Sequence, residues 1–387
     1  MYQSFFNGLS GMFSYSKSLD NVSNNIANMN TPGYRGNDAF MRSVGGEQGY
    51  GTSLEDIGAR QQAGEIRQTG NQTDLAVVGE GYFIVQDESG ENYYTRAGQF
   101  KFNEDSQLVD ALSGYQVMAL TEGGDLEGFS IADQRVLPPE ATSEITFAGN
   151  LSSSSTDFES EAFEIFSADG EMHELRIRLT NNSAVLLNSW SGELVDASDT
   201  VIDTFELRFN VDGSPQTDFN AYTGAVTLGA DPQDLTISFG EAGGFEGVTH
   251  FSGSTSTLAS AVEDGHGALG IANLSFDGEG IIQLQYTNGD DVAGQQVALA
   301  SFYDQSELIS VDGSVFKARP AQDISLGVAQ SEQFGVIRDK SIELSNVDLT
   351  QEFADILIIQ RGYQASSKVM GVANELIEQL YNSTSGR

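Results

Sequence analysis

With 387 residues, 39% of them hydrophobic, the chain has length for roughly two to four domains with cores of their own. A formal charge of −38 argues against nucleic acid and anionic membrane as partners. The absence of cysteine excludes disulfides, thiolate metal sites and a cysteine nucleophile. The charge is uneven: residues 146–285 hold 22 acids against 3 arginines and no lysine, a net of −19, whereas residues 1–36 carry only Lys17, Asp20 and Arg35. Nearly neutral ends and a highly charged middle suit a chain whose ends pack into something while its middle faces solvent.

The first pattern is helical, from Tyr2 to Asn28. Phe5, Leu9, Met12, Leu19 and Ile26 recur at alternating steps of four and three, with Ser16 and Ser23 at the seam positions between them. Asn28-Met29-Asn30-Thr31-Pro32-Gly33 then breaks helix and register together. One lysine among widely spaced apolar residues makes no cleavable signal peptide, and no apolar run reaches the ~18 residues of a membrane span.

Residues 34–73 read as an extended, irregular connector with Tyr34, Phe40, Leu54 and Ile57 as apolar islands. From Asp74 the pattern turns to strands: Leu75 to Val78, a Gly79-Glu80-Gly81 turn, Tyr82 to Val85, then Tyr93 to Arg96 and Gln99 to Phe102. Pro138-Pro139 interrupts the series. Residues 145–285 form a second, acidic β block, and strands resume before the last helix.

That helix runs from Leu349 to Tyr381, with Asp348 as N-cap and Gln351 three positions on. Glu352 and Asp355 suit the positive end of the helix dipole. Leu349, Phe353, Ile356, Tyr363, Met370 and Ile377 repeat the four-three step, interrupted by Gln360, Ser367 and Asn374. Two such helices at opposite ends predict a mostly β chain with α-helical termini paired like a coiled coil. The organisation expected is a helical domain from 1–33 and 346–387, the connector 34–73, an inner β domain from 74–144 with 286–345, and an outer acidic β domain, 145–285, inserted in the middle.

Chemistry is sparse. His173, His250 and His266 stand in no HExxH spacing, and no G-x-S-x-G elbow, Walker loop or dinucleotide fingerprint occurs. Asp290-Asp291, Asp277-x-Glu279 and Glu159-x-Glu161 read as solvated loops of an acidic chain, and Trp190 as a core or turn residue. No catalytic residue, metal ligand or cofactor is nominated, and the chain is not read as an enzyme.

Four strings, in order, resemble one family, the bacterial flagellar rod and hook axial proteins. The first is Ser23-Asn24-Asn25-Ile26-Ala27-Asn28-Met29-Asn30-Thr31-Pro32-Gly33-Tyr34-Arg35; the second runs from Asp74 to Val85; the third is Tyr94-Thr95-Arg96-Ala97-Gly98-Gln99-Phe100. The fourth joins Leu344-Ser345-Asn346-Val347-Asp348-Leu349 with Gln360-Arg361-Gly362-Tyr363-Gln364. Asn24, Asn25, Asn28, Thr31, Gly33, Asn346, Asp348, Gln360 and Arg361 are the motif residues. Length and the large middle insertion look like the hook branch; Asn103-Glu104-Asp105-Ser106 departs from it, standing where a glycine turn is usual. The resemblance implies a self-assembling helical tube, with terminal helices around an export channel and β domains outside. It implies as partners further copies of the chain, rod, hook-cap and hook–filament junction proteins, and the flagellar type III export apparatus. It implies a place in the hook and basal body, outside the cell, after export without a cleaved signal. A rod protein with an unusual insertion is the nearest alternative, and a carbohydrate-binding or hydrolytic β domain on a flagellar scaffold the more distant one. On this reading Gln360, Ser367 and Asn374 weaken the seam and brake premature association.

Overall fold

The structure, a computed structural model, describes all residues except 1, 46–50, 122, 229–231, 254, 306–307, 321, 332 and 386–387. The chain divides into two compact units. One comprises Met1–Gln134, Asn273–Gln285 and Asp291–Arg387; the other comprises Arg135–Ala272 and Tyr286–Asp290. The acidic unit therefore begins about ten residues before the expected 145 and gives up 273–285, and the terminal helices share a unit with the first β block.

In the first unit, helix α1 (Tyr2–Ala27) leads into an antiparallel hairpin, β1 (Asn37–Ser43) with β2 (Thr52–Ala59), where an irregular connector was expected. Neither strand buries a residue fully, so no apolar alternation announces it. The hairpin is held on α1 by polar contacts: Ser14 Oγ donates to the Thr52 carbonyl at 3.2 Å and Asn21 Nδ2 to the Asn37 carbonyl at 2.6 Å.

Strands β3 (Ile66–Gln68), β4 (Leu75–Val78), β5 (Tyr82–Gln86) and β6 (Asn92–Thr95) follow, and the returning chain pairs with each in turn. Ser341–Glu343 pairs β3, Val336–Asp339 pairs β4, Leu299–Phe302 pairs β5 and Val315–Lys317 pairs β6, all antiparallel. Tyr82, Phe83, Ile84 and Val85 are all buried, which is why β5 reads as an unbroken apolar run rather than an alternation. Closure of the outgoing chain by the returning one makes this β body discontinuous in sequence. The Asn103–Ser106 turn is made without glycine: Ser106 takes φ 62°, and Asn103 Oδ1 accepts the Gln107 amide at 2.9 Å.

In the second unit, two five-stranded sheets enclose one core. Along Met172–Asn181, Leu175, Ile177 and Leu179 point into it while Arg176 and Arg178 pair outward with Glu159. Trp190 is fully buried, as expected, and its Nε1 donates to His250 Nε2 at 3.2 Å; Phe209 stacks on the same imidazole at 4.7 Å. In the first unit, Asp277, read above as part of a solvated loop, caps its own turn, accepting the amides of Glu279 and Ile281.

Burial lowers the pKa of His250 below its ordinary value, and its role as acceptor requires the neutral ring. A depressed folded pKa contributes stability that is present above the unfolded value and lost as pH falls through the folded one. Trp190, the sole tryptophan, should therefore report a fluorescence transition below about pH 6.5. That transition should vanish in His250→Gln; a signal unchanged down to about pH 4 contradicts the assignment.

Candidate functional site

The two long helices, α1 and α2 (Leu349–Ser385), pack against each other antiparallel. A Cβ at Gly8 would lie 2.9 Å from the Ser366 carbonyl oxygen, and one at Gly362 would strike the Tyr15 ring at 2.3 Å. Backbones approach this closely only where one partner has no side chain. The buried residues of α1 are accordingly Gly8, Gly11, Ser14, Ser18, Asn21, Val22 and Asn25.

This interface lies one residue away from the seam read in sequence. Phe5, Leu9, Met12 and Ile26 are half-buried flanks and Leu19 is exposed. On α2, Leu349, Ile356, Met370 and Ile377 are half-buried, while Phe353 and Tyr363 are exposed. Glu352, Ile359 and Ala373 are the buried positions, with Ser366 half-buried among them. The four-three period holds, but alternate α2 positions are displaced by one residue, to 352, 359, 366 and 373. Gln360 and Asn374 are exposed and Ser367 is half-buried, off the line that meets α1.

Below the helix pair, five chain segments converge on a buried polar joint. Glu343 pairs with Arg35 at 3.0 Å and with Arg96 at 3.3 Å, all three side chains no more than 3% exposed. Glu352 pairs with Arg60 at 2.8 Å, and Arg60 Nε reaches Asp38 at 2.9 Å. Asn25 Nδ2 donates to both Glu352 oxygens at 3.2 and 3.3 Å, while its Oδ1 accepts the Asn37 amide at 2.9 Å. Asn346 Oδ1 accepts the Gly36 amide at 2.7 Å, and its Nδ2 donates to the Gln62 carbonyl at 2.7 Å. Arg35 also donates to the Gln62 carbonyl, and the Gly64 amide donates to Glu343 Oε1 at 2.8 Å.

Glu343 and Glu352 are paired with Arg35, Arg96 and Arg60, as buried charge requires, and the half-exposed Asp38 adds a third carboxylate beside Arg60. Burial pulls the Arg96 guanidinium below its ordinary pKa, and Glu343 opposes that. Arg96 also lies over the Tyr82 ring at 4.9 Å and donates to the Gly79 carbonyl at 2.8 Å, linking the joint to the β4–β5 turn.

The motif residues divide between this joint and its surroundings. Asn25 and Asn346 are in it, and the Gly33 amide donates to the Glu343 carbonyl at 2.9 Å. Asn28 and Thr31 form the turn that leaves α1: Asn28 Nδ2 donates to the Asn24 carbonyl at 3.0 Å and Thr31 Oγ1 to Asn28 Oδ1 at 3.3 Å. Asp348 caps α2 through the Thr350 amide at 2.7 Å, and those backbone donors lower its pKa. Asn24, Gln360 and Arg361 are exposed. Sequence reading missed Arg35, Arg60, Arg96 and Glu343 as a set; Glu352 stands in the first turn of α2 as expected, but its full burial was missed. The available signal was a lone charge inside an apolar string, as in Ile342-Glu343-Leu344. Among the described residues, no group of three or more His, Asp or Glu is placed to hold a metal.

Glu343→Gln leaves two arginines buried without a full counter-charge. Breaking a buried pair this way costs about 3–5 kcal/mol. Thermal unfolding followed by far-UV circular dichroism should show the first unit melting earlier, while Trp190, inside the other unit, reports an unchanged transition. Equal stability of the variant and the natural chain would remove the joint from the account.

Three family models match in chain order. Residues 7–35 match the flagella basal body rod protein model, 76–153 the flagellar hook protein FlgE/F/G D1 domain, and 338–383 the flagellar basal body rod FlgEFG protein C-terminal region. The flagellar hook protein FlgE of Brucella suis biovar 1 is 28% identical across 97% of each chain. That of Escherichia coli K12 is 25% identical, covering 98% of this chain and 99% of its own. A crystal structure of Helicobacter pylori flagellar hook protein FlgE2 superposes with TM-score 0.46 at 12% identity, over 71% of this chain and 99% of that one. Models of flagellar rod and hook proteins thus match three stretches of this chain in order, and the FlgE hook proteins are similar to it over nearly its whole length.

Proposed function

We propose that this chain is the structural subunit of a bacterial flagellar hook, copies of which form a flexible helical tube that couples rod to filament and transmits torque. The observation that carries the reading is the buried joint, which fastens the helix pair to a β body through charges rather than through a sliding apolar contact. A subunit so fastened passes load between a helical wall and its β domains. The similarity to FlgE proteins across almost the full chain supports the same role. The assignment of 1–33 and 346–387 to the inner wall, with β domains outside it, rests on the nearly neutral charge and exposed apolar side chains of those ends.

On this reading the chain acts structurally rather than catalytically, its main partner is a further copy of itself, and it works in the hook, outside the cell. Rod, hook-cap and hook–filament junction proteins would meet the tube at its ends, and the flagellar type III apparatus would deliver each subunit. A rod role is disfavoured because the matched hook proteins share this chain's whole extent, including its middle unit.

Electron microscopy of the purified, polymerised chain tests the proposal: curved, bendable tubes support a hook, and straight rigid ones a rod. Growth should also depend on salt. At −38 per subunit, raising ionic strength from about 0.01 M to about 0.15 M shortens screening from about 30 Å to about 8 Å and should lower the concentration needed for growth. Growth insensitive to that change would mean that self-repulsion plays no part in assembly.

A further inference from the structure

We infer that two uncovered faces of the helix pair are the halves of one subunit contact: the aromatic ridge of α1 in one copy docks on the outer apolar seam of α2 in the next. The inference rests on the proposed self-assembly and deepens it by naming the faces that meet.

The ridge consists of Tyr2, Phe6 and Phe13, which are 72%, 58% and 64% exposed. At about 100° per residue, Phe6 and Phe13 lie across α1 from Gly8 and Gly11, the positions that touch α2. The seam lies on α2, where Ile358, Val369, Val372 and Leu376 are all exposed. With Ala365 they sit at 358, 365, 369, 372 and 376, on a second four-three line beside the one that meets α1, whose place at 362 is taken by Gly362 against the Tyr15 ring. Ser4, Ala365, Val369, Val372, Ala373 and Leu376, with the charged Lys368 among them, line an open groove of about 520 Å³ there.

Three observations name a second copy as the occupant. The groove is continuous with the α1–α2 interface through Ala373, which is buried in that interface, so an added helix extends packing already begun. Its walls are alanine, serine and valine together with Leu376 and Lys368, a largely apolar trough that suits the bulky rings of the ridge. Charge also favours this face: α1 carries one acid and one base and α2 four acids and two bases, a net of −2 out of −38, so like-charge repulsion between copies is least here. Because ridge and seam are different surfaces, the contact is heterologous. Each copy that docks leaves a free ridge at one end and a free seam at the other, so growth continues.

Phe6→Glu with Phe13→Glu disables the ridge, and Val369→Glu with Val372→Glu disables the seam; all four positions are exposed, so the folded subunit tolerates them. Each variant alone should lose tube growth at least about tenfold, because docking would bury charge. Mixed one to one, the two should form a dimer and stop, the intact seam of one holding the intact ridge of the other, as read by analytical ultracentrifugation. Natural-chain tubes together with normal growth of either variant, or a mixture that sediments as the sum of its parts, would overturn the docking and leave the hook reading standing. Failure of the natural chain to form tubes would overturn the hook reading, while the dimer of complementary variants would still report the docking.

Discussion

Glu343 is the residue on which the first unit depends. Its carboxylate sits between Arg35, just beyond α1, and Arg96, at the end of β6, and 247 positions separate it from the latter. A second link, Asn25 to Glu352 to Arg60, fixes the start of α2 to the end of α1 and to the end of the hairpin. Charges in a low-dielectric interior tolerate little displacement, because a separated pair faces the full desolvation cost of each ion. An apolar joint of the same size would allow sliding; this one fixes direction as well as distance. The two ends of the chain and the β body therefore meet in one geometry.

The helix pair above the joint follows a different logic. Much of its contact is made by glycine, serine and alanine, which bring the backbones close, and Val22 and Ile359 are the larger apolar side chains buried beside them. The large side chains that an amphipathic helix ordinarily buries remain at the flanks or in solvent, among them Phe6, Phe13, Phe353 and Val369. Close packing within the subunit and apolar faces left outside it belong together: using the small face inward frees the large one for another copy. The concentration of negative charge in residues 146–285 leaves those faces nearly neutral.

Much of this was legible in the sequence, and the failures have physical causes. Both helices, the Asp348 cap, the Gly79-Glu80-Gly81 turn and the apolar runs of β4 and β5 follow from local periodicity and turn chemistry. The seam was displaced by one residue because periodicity weighs apolar side chains, whereas this contact selects their absence at Gly8, Gly11 and Gly362. The hairpin Asn37–Ser43 with Thr52–Ala59 was unreadable because hydrogen bonds from Ser14 and Asn21, rather than a buried apolar face, hold it to α1. The joint was invisible for another reason. Arg35, Arg60, Arg96, Glu343 and Glu352 are ordinary charges one by one, and only the return of the chain onto β3 brings them together.

A joint that closes as one cooperative structure makes the backbone amides it engages behave as core. Hydrogen exchange of the full-length chain tests this most directly at Gly36, Asn37 and Gly64, whose amides donate to Asn346 Oδ1, Asn25 Oδ1 and Glu343 Oε1. All three should exchange together, with protection close to that of the β5 amides. Exchange of these amides at the rate of exposed loops, while β5 stays protected, would contradict cooperative closure.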